Sequence, residues 1–333
     1  MKKVLSLILA LAMVFALAAC GEKQPSNDGN TDGDKPARGN VIMTFGTADT
    51  GGSMYPAGAA VSQVWTNNVQ GVKCNTQTST GSFQNCQDVS TGEVDVAVAT
   101  SDVVLNAYNG TGKFADIGKL DNLRVIGAVY TSVLSGVALK SSGLTYIHDL
   151  LGKRVAVGPA ASATENAILA AFDAMGIDSS NTSLENLGLG DGADSVGDGI
   201  LDAAFGFAGL PIGGQLNLAA TKEIQVLDMT QEEIDKVLAG NAAYIQTKIP
   251  AGTYTGQDND ANTFGVKCLI IVTADMDADL VYDLCKAMNE HTEEMAAGNA
   301  LLKDMTDPSF LCTQMPIPLH DGAQKYYSEQ GLI

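Results

Sequence analysis

Arginine is almost missing from this chain: 333 residues carry three, Arg38, Arg124 and Arg154. The guanidinium fork is the usual device for holding a carboxylate at two points. Arg38 lies in a polar N-terminal stretch, and Arg124 and Arg154 stand where strand-like runs begin, the end away from a site built at strand C-termini. A bidentate clamp on an acidic solute is therefore not expected. Basic residues as a whole are scarce, 19 against 38 acids, for a net charge of −19. Such a body suits neither nucleic acid nor an anionic bilayer surface. Solvation of an exported surface explains the acidity, and no cationic ligand follows from it. Histidine is limited to His148, His291 and His320, none set in a hydrolase signature. There is no Gly-Lys-Ser/Thr phosphate loop and no dinucleotide fingerprint. The cysteines lack metal-ligand spacing. Neither a cofactor nor a metal is expected. Beyond Ala16 no apolar run is long enough to span a bilayer.

What is present starts with a leader. Lys2 and Lys3 precede the apolar run Val4 to Ala16, and Leu17-Ala18-Ala19-Cys20 resembles a bacterial lipobox. Residues 1–20 are expected to be a lipoprotein signal peptide, with Cys20 lipidated and holding the protein to the bilayer; an ordinary cleaved signal is the alternative. Residues 21–39, rich in Gly, Asn, Asp, Lys and Pro, read as a flexible tether reaching about 25 Å. The folded body begins near Asn40. It retains Cys74, Cys86, Cys268, Cys285 and Cys312, an odd number. Export would permit Cys74–Cys86 or Cys268–Cys285 disulfides, while the apolar runs around most of them suit buried thiols equally.

The most informative stretch is Val41 to Pro56. Val41, Met43 and Phe45 alternate as one face of a strand, which then enters a turn rich in glycine and hydroxyls that opens a helix, with Pro56 suited to its first position. Backbone N–H groups at such a turn face a small polar or anionic group. Strand and helix signals then alternate along the chain: strands at Val72 to Thr78, Val94 to Ala99 and Leu123 to Tyr130, then again at Ser135 to Lys140, Arg154 to Val157 and Asp202 to Phe207. Lys248 to Thr263 reads as irregular, Val266 to Thr273 as a strand, and Ala278 to Met295 as one amphipathic helix. This is an α/β pattern. Two such units with a late returning strand predict two lobes, 40–133 with 265–333 and 134–264. They would be joined by crossovers near Leu134–Leu139 and Gly265–Ile271, with a ligand cleft between them.

The residues expected to line that cleft are those at strand ends and helix starts: Thr50, Gly51, Gly52, Ser53 and Tyr55; Gly81 and Ser82; Thr100 and Ser101; Ala160, Ser162 and Thr164; and Gly209 and Pro211. Hydroxyls and amides there can replace the hydrogen bonds a solute loses with water. Each has a plainer role as a helix cap or turn residue. Asp49 and Asp102 read as solvated or capping acids, Tyr130 as a wall residue, Trp65 as core, and His320 as a dock for the last helix.

These segments resemble the TAXI-type substrate-binding subunits of tripartite ATP-independent (TRAP) transporters over the whole body. The match rests on Phe45 to Gly58; on Thr80-Gly81-Ser82 with Asn85, running through Gly92-Glu93-Val94-Asp95 to Ser101-Asp102 and Tyr108-Asn109-Gly110; on Leu150 to Glu165; and on Pro318 to Tyr327. Ala48 and Asp49 stand where that family usually has glycine, Met54 where it has an aromatic, Thr100 where it has glutamine, and Ala161 and Ala163 where it has glycine. The resemblance implies a two-lobe, type II periplasmic-binding-protein fold and no catalysis. It further implies an extracytoplasmic, lipid-anchored receptor that binds a small polar solute, an amino acid such as glutamate or glutamine or a related dicarboxylate, and passes it to integral membrane TRAP subunits. The alternatives are a ligand-sensing lipoprotein for a membrane receptor and, more remotely, an exported hydrolase using Ser162 or Asp49 with His320.

Overall fold

The sheet order explains how one chain makes two lobes. In the computed structural model, which describes residues 39–48, 50, 52–160 and 162–333, β1 (Val41–Gly46) runs into α1 (Met54–Asn68), β2 (Val72–Gln77) into α2 (Ser82–Thr91), and β3 (Val96–Thr100) into α3 (Ser101–Asn109). The long β4 (Leu123–Leu139) follows. Next come β5 (Arg154–Ala156), α4 (Ala163–Met175), β6 (Ser183–Glu185), α5 (Leu189–Gly197), β7 (Ala203–Ala208) and α6 (Gly213–Thr221). Then β8 (Ile224–Val226), α7 (Gln231–Gly240) and β9 (Ile245–Ile249) lead to β10 (Ala261–Thr273). The C-terminal segment holds α8 (Ala278–Glu290), α9 (Thr292–Gly298), α10 (Pro308–Cys312) and α11 (Asp321–Glu329). The leader, the lipidation site Cys20 and the tether to Arg38 lie outside the described residues, as do Asp49, Gly51 and Ala161. Among the described residues no helix is long and apolar enough to cross a membrane.

The strands form one path, β2-β1-β3-β10-β4-β7-β5-β6, with β8 against β4 and β9 against β10. Two strands belong to both ends of it. β4 pairs antiparallel with β10 from Leu123 to Val133 and with β7 from Val133 to Ala138. β10 pairs with β9 from Ala261 to Gly265 and with β3 from Cys268 to Ile271. At about 3.3 Å per residue, β4 is about 55 Å long, enough to serve both halves. The first half, β2-β1-β3, is parallel, and so is β7-β5-β6 in the second. Each half is covered on both faces. Met43, Phe45, Trp65 and Tyr327 fill one side of the first and Cys86, Val104 and Phe114 the other. Phe172, Phe205 and Ile234 fill one side of the second, and Val196, Leu218 and Tyr254 the other. This is the two-lobe α/β architecture expected from the alternating pattern.

Several local expectations change. The strands at Leu123 to Tyr130 and Ser135 to Lys140 are one strand, paired with β10 as far as Val133 and with β7 from there on; beside the join the Asp304 carboxylate accepts from the Thr131 backbone N–H at 3.2 Å and its hydroxyl at 2.8 Å. Pro56 sits two residues inside α1, still within the first turn, where no N–H is needed. The stretch Lys248 to Thr263 includes the end of β9 and the start of β10. The helix expected from Ala278 to Met295 breaks at His291 (φ −118°), giving α8 and α9. Helix α5, with Gly190, Gly192 and Gly197 inside it, was not legible as a helix. Its glycines let it lie close: a Cβ on Gly192 would stand 2.9 Å from Ala156 Cβ.

Trp65 is fully buried, stacked on Phe45 with centroids 5.5 Å apart, and donates to Leu284 O at 3.0 Å. The five described cysteines are all free thiols and all buried. Cys74 and Cys86 belong to clusters on opposite faces of the sheet, so the first disulfide considered does not form. Burial pushes the Cys74 and Cys268 thiols up to about 11.

Candidate functional site

A cavity of about 850 Å³ opens where the two halves of the sheet meet. The starts of five helices reach it: Gly52 and Ser53 with Met54 at α1, Gly81 and Ser82 at α2, and Asp102 in α3 from the first half; Ser162 with Ala163 and Thr164 at α4, and Gly188 with Leu189 at α5, from the second. Phe83, Phe114, Tyr130, Phe207 and Tyr244 supply apolar wall. Free N–H groups and partial positive charge thus face a space with aromatic sides.

Each helix start is held by bonds a sequence reader cannot see. In the first half, Asn85 Nδ2 donates to Thr47 O at 2.6 Å and Val98 O at 2.7 Å, tying β1, α2 and β3 together beneath the cavity. Ser82 Oγ accepts from the Thr100 N–H at 3.0 Å. In the second half, Ser162 caps α4, its Oγ accepting from the Glu165 N–H at 3.2 Å, and Thr164 Oγ1 accepts from the buried Phe207 N–H at 3.0 Å. Gly158 has φ +88°, and a Cβ there would lie 2.6 Å from Thr164, so only glycine fits the turn.

Contacts cross between the halves. Lys113 Nζ stands 3.5 Å from Glu165 Oε2, and Ser101 Oγ donates to Ala243 O at 3.4 Å. The Tyr244 hydroxyl lies beside the Asp102 carboxyl. Asp102 is 2 % exposed, and burial raises its pKa, with the Thr100 and Tyr244 hydroxyls and the Val103 N–H acting against that rise. Burial raises Tyr244 as well, reinforced by the Asp102 charge.

Of the residues expected here, Gly52, Ser53, Gly81, Ser82, Ser162 and Thr164 line the cavity. Thr50 and Tyr55 stand at the start of α1 but outside the lining; Thr50 is exposed and Tyr55 half-buried. Gly51 lies outside the described residues. Thr100 is buried behind Ser82, and Ser101 is spent on Ala243. Ala160 is exposed, and its neighbour Pro159 reaches the cavity instead. Gly209 is buried against Leu301 and Ser53, and Pro211 is exposed, so neither forms the wall. Asp102, read as a solvated or capping acid, is a buried wall residue. Tyr130 also lines the cavity. Phe83, Phe114, Phe207 and Tyr244 were missed because a lone aromatic reads as core; only the position of Phe207 near the end of a strand could have flagged it.

The arginines are elsewhere. Arg154 pairs with Asp202 at 2.8 Å, and Arg124 donates to the carbonyls of Asp121 and Leu123 at 2.9 and 2.7 Å. His320 is buried at the N-cap of α11, where its Nδ1 accepts from the Gly322 N–H at 3.1 Å. It is not part of the cavity lining. Ser162 therefore has no base from that quarter. Among the described residues no group of histidines, cysteines and acids could hold a metal ion.

Solved structures with a similar course of chain include three solute-binding proteins. The alkanesulfonate-binding protein SsuA from Xanthomonas axonopodis pv. citri, bound to MOPS, is 14% identical at a TM-score of 0.49, covering 88% of this chain and 85% of that one. An ancestral arginine-binding protein bound to arginine is 12% identical at 0.45, covering 82% and 98%. The amino acid ABC transporter substrate-binding protein AbpA from Streptococcus pneumoniae, bound to L-arginine, is 14% identical at 0.44, covering 80% and 94%. Residues 45–331 match the NMT1-like family, and the chain belongs to that family.

Proposed function

We propose that this protein is an extracytoplasmic solute-binding protein of a TRAP-type secondary transporter, of the TAXI kind. Cys20 would hold it to the membrane surface, and it would deliver one small polar solute to integral membrane subunits. The observation that carries the reading is the cavity itself: five helix starts and an aromatic wall converge on one space between halves that share β4 and β10 as continuous strands. Taking the lobes as 40–133 with 265–333 and 134–264, those two strands are the hinge, and the contacts from Lys113 to Glu165 and from Ser101 to Ala243 O belong to the closed state. The solute would be an amino acid or a related organic acid held by amides and hydroxyls, with no covalent chemistry.

The test is a thermal-shift screen of the purified full-length protein against standard L-amino acids, their decarboxylated amines, their deaminated acids and short dicarboxylates at millimolar concentration. One compound is expected to stabilise the fold by about 2.7 kcal/mol once it reaches a hundred times its dissociation constant. A silent screen would count against a solute-binding role.

A further inference from the structure

The cavity holds a charge arrangement that its helix starts alone do not explain. Asp102 is 2 % exposed and faces the cavity, and its Oδ1 has no hydrogen-bond partner among the described residues. Its hydroxyl neighbours, Thr100 and Tyr244, carry no charge. A buried carboxylate oxygen left open loses the free energy of an unmade charged hydrogen bond, and native proteins seldom leave one without a purpose. The other charged groups on the wall are Asp191 and Lys113, and Lys113 is already turned toward Glu165 across the cleft. Arg124 and Arg154 are engaged elsewhere. The wall is thus net negative. Two negative charges on a solute would meet Asp102 and Asp191, with Lys113 the one cation among the described lining residues and already paired with Glu165.

We propose that Asp102 receives a positively charged nitrogen of the solute, so that the cavity selects amine-bearing compounds and rejects dicarboxylates. This rests on the reading of the cavity as a solute site and narrows its ligand. An ammonium N–H donated to Oδ1 completes the carboxylate and cancels its buried charge. The wall around it suits such a cation: Phe83 and Phe114 pack with centroids 4.4 Å apart, and Tyr130 and Tyr244 face the same space. Aromatic faces attract cations and cover an apolar body. One carboxylate can still sit on the amides at the starts of α2 and α4, which makes a zwitterion with an apolar side chain the best fit to the whole wall.

The test sorts the screen above by chemistry and repeats it on D102N, an isosteric change that removes the charge. Every stabilising compound should carry a basic nitrogen, and D102N should weaken the best of them at least about tenfold. Its deaminated counterpart, bound weakly, should be unaffected. A purely structural Asp102 would lower both affinities together in D102N. Equal stabilisation by a deaminated acid or a dicarboxylate would overturn the assignment. So would an unchanged amine affinity in D102N, and in both cases the cavity would stand as a binding site. A screen silent for every class would defeat the binding role and this assignment together.

Discussion

Gly209→Phe should lower solute affinity by about a hundredfold while leaving the melting temperature nearly unchanged. Gly209 follows β7 in the second half of the molecule. An ideal Cβ placed on it would come within 1.8 Å of Leu301 Cδ1 and 3.4 Å of Ser53 Oγ, both from the first half. Leu301 can turn aside for a methyl group, but a benzyl ring is far larger than the space a Cβ already overfills. The ring would be accommodated by parting the halves, which breaks the contacts from Lys113 to Glu165 and from Ser101 to Ala243 O without disturbing either core. Overpacking of this kind penalises the crowded state by about 1–3 kcal/mol. Charged against the closed form alone, the upper figure leaves about one molecule in a hundred competent, and apparent affinity falls by the same factor. Titration calorimetry on a solute found by the screen, with thermal melts alongside, measures both. An affinity within threefold of wild type would show that the halves need not meet at Gly209 for binding.

Gly322→Ala should have the opposite signature, a loss of about 3 kcal/mol or more in stability with unchanged affinity among folded molecules. Gly322 begins α11 where that helix crosses α8, and a Cβ would stand 2.2 Å from Ala278 O and 2.9 Å from Tyr282 N. Those are backbone atoms of a helix and cannot swing away, so α11 itself must lift. Lifting it pulls on Tyr327, whose hydroxyl donates to Ile126 O at 2.9 Å, and on Tyr326, bonded to Asn289 at 2.9 Å. It also loosens the cap in which His320 Nδ1 receives the Gly322 N–H. At roughly 2 °C per kcal/mol for a chain of this size, the melting temperature should drop by about 6 °C or more. Denaturant unfolding gives the free energy directly; a midpoint close to wild type would mean that α11 does not pack on α8 at this distance.

The α/β class and the two-lobe plan were legible because alternating and buried apolar runs such as Val41 to Phe45 and Val94 to Ala99 carry their periodicity in the chain. The single strand β4 was not, because its continuity comes from pairing with β10 as far as Val133 and with β7 from Val133 on, partners far away in the chain. Helix α5 was hidden by its glycines, which favour a turn locally, while in the fold Ala156 stands 2.9 Å from a Cβ on Gly192 and Leu218 3.0 Å from one on Gly197. In the cavity, the glycine and hydroxyl positions at helix starts were readable from turn chemistry, and Gly52, Ser53, Gly81, Ser82, Ser162 and Thr164 lie there. The aromatic wall and the buried Asp102 were not, since nothing local separates a cavity-facing Phe83 from a core one or a capping aspartate from one whose Oδ1 is left open. Serine and threonine also proved to have double duty: Ser162 and Thr164 already accept backbone N–H groups, so their removal would weaken the fold along with any solute contact.

Native mass spectrometry of the full-length protein, taken straight from its producing cells, tests the central claim most directly. A single small molecule should ride on each chain without a covalent bond and come off chemically intact when the protein is denatured. Chains that carry nothing after exposure to cell extract, or that release the molecule altered, would contradict a receptor that closes on one solute and hands it on.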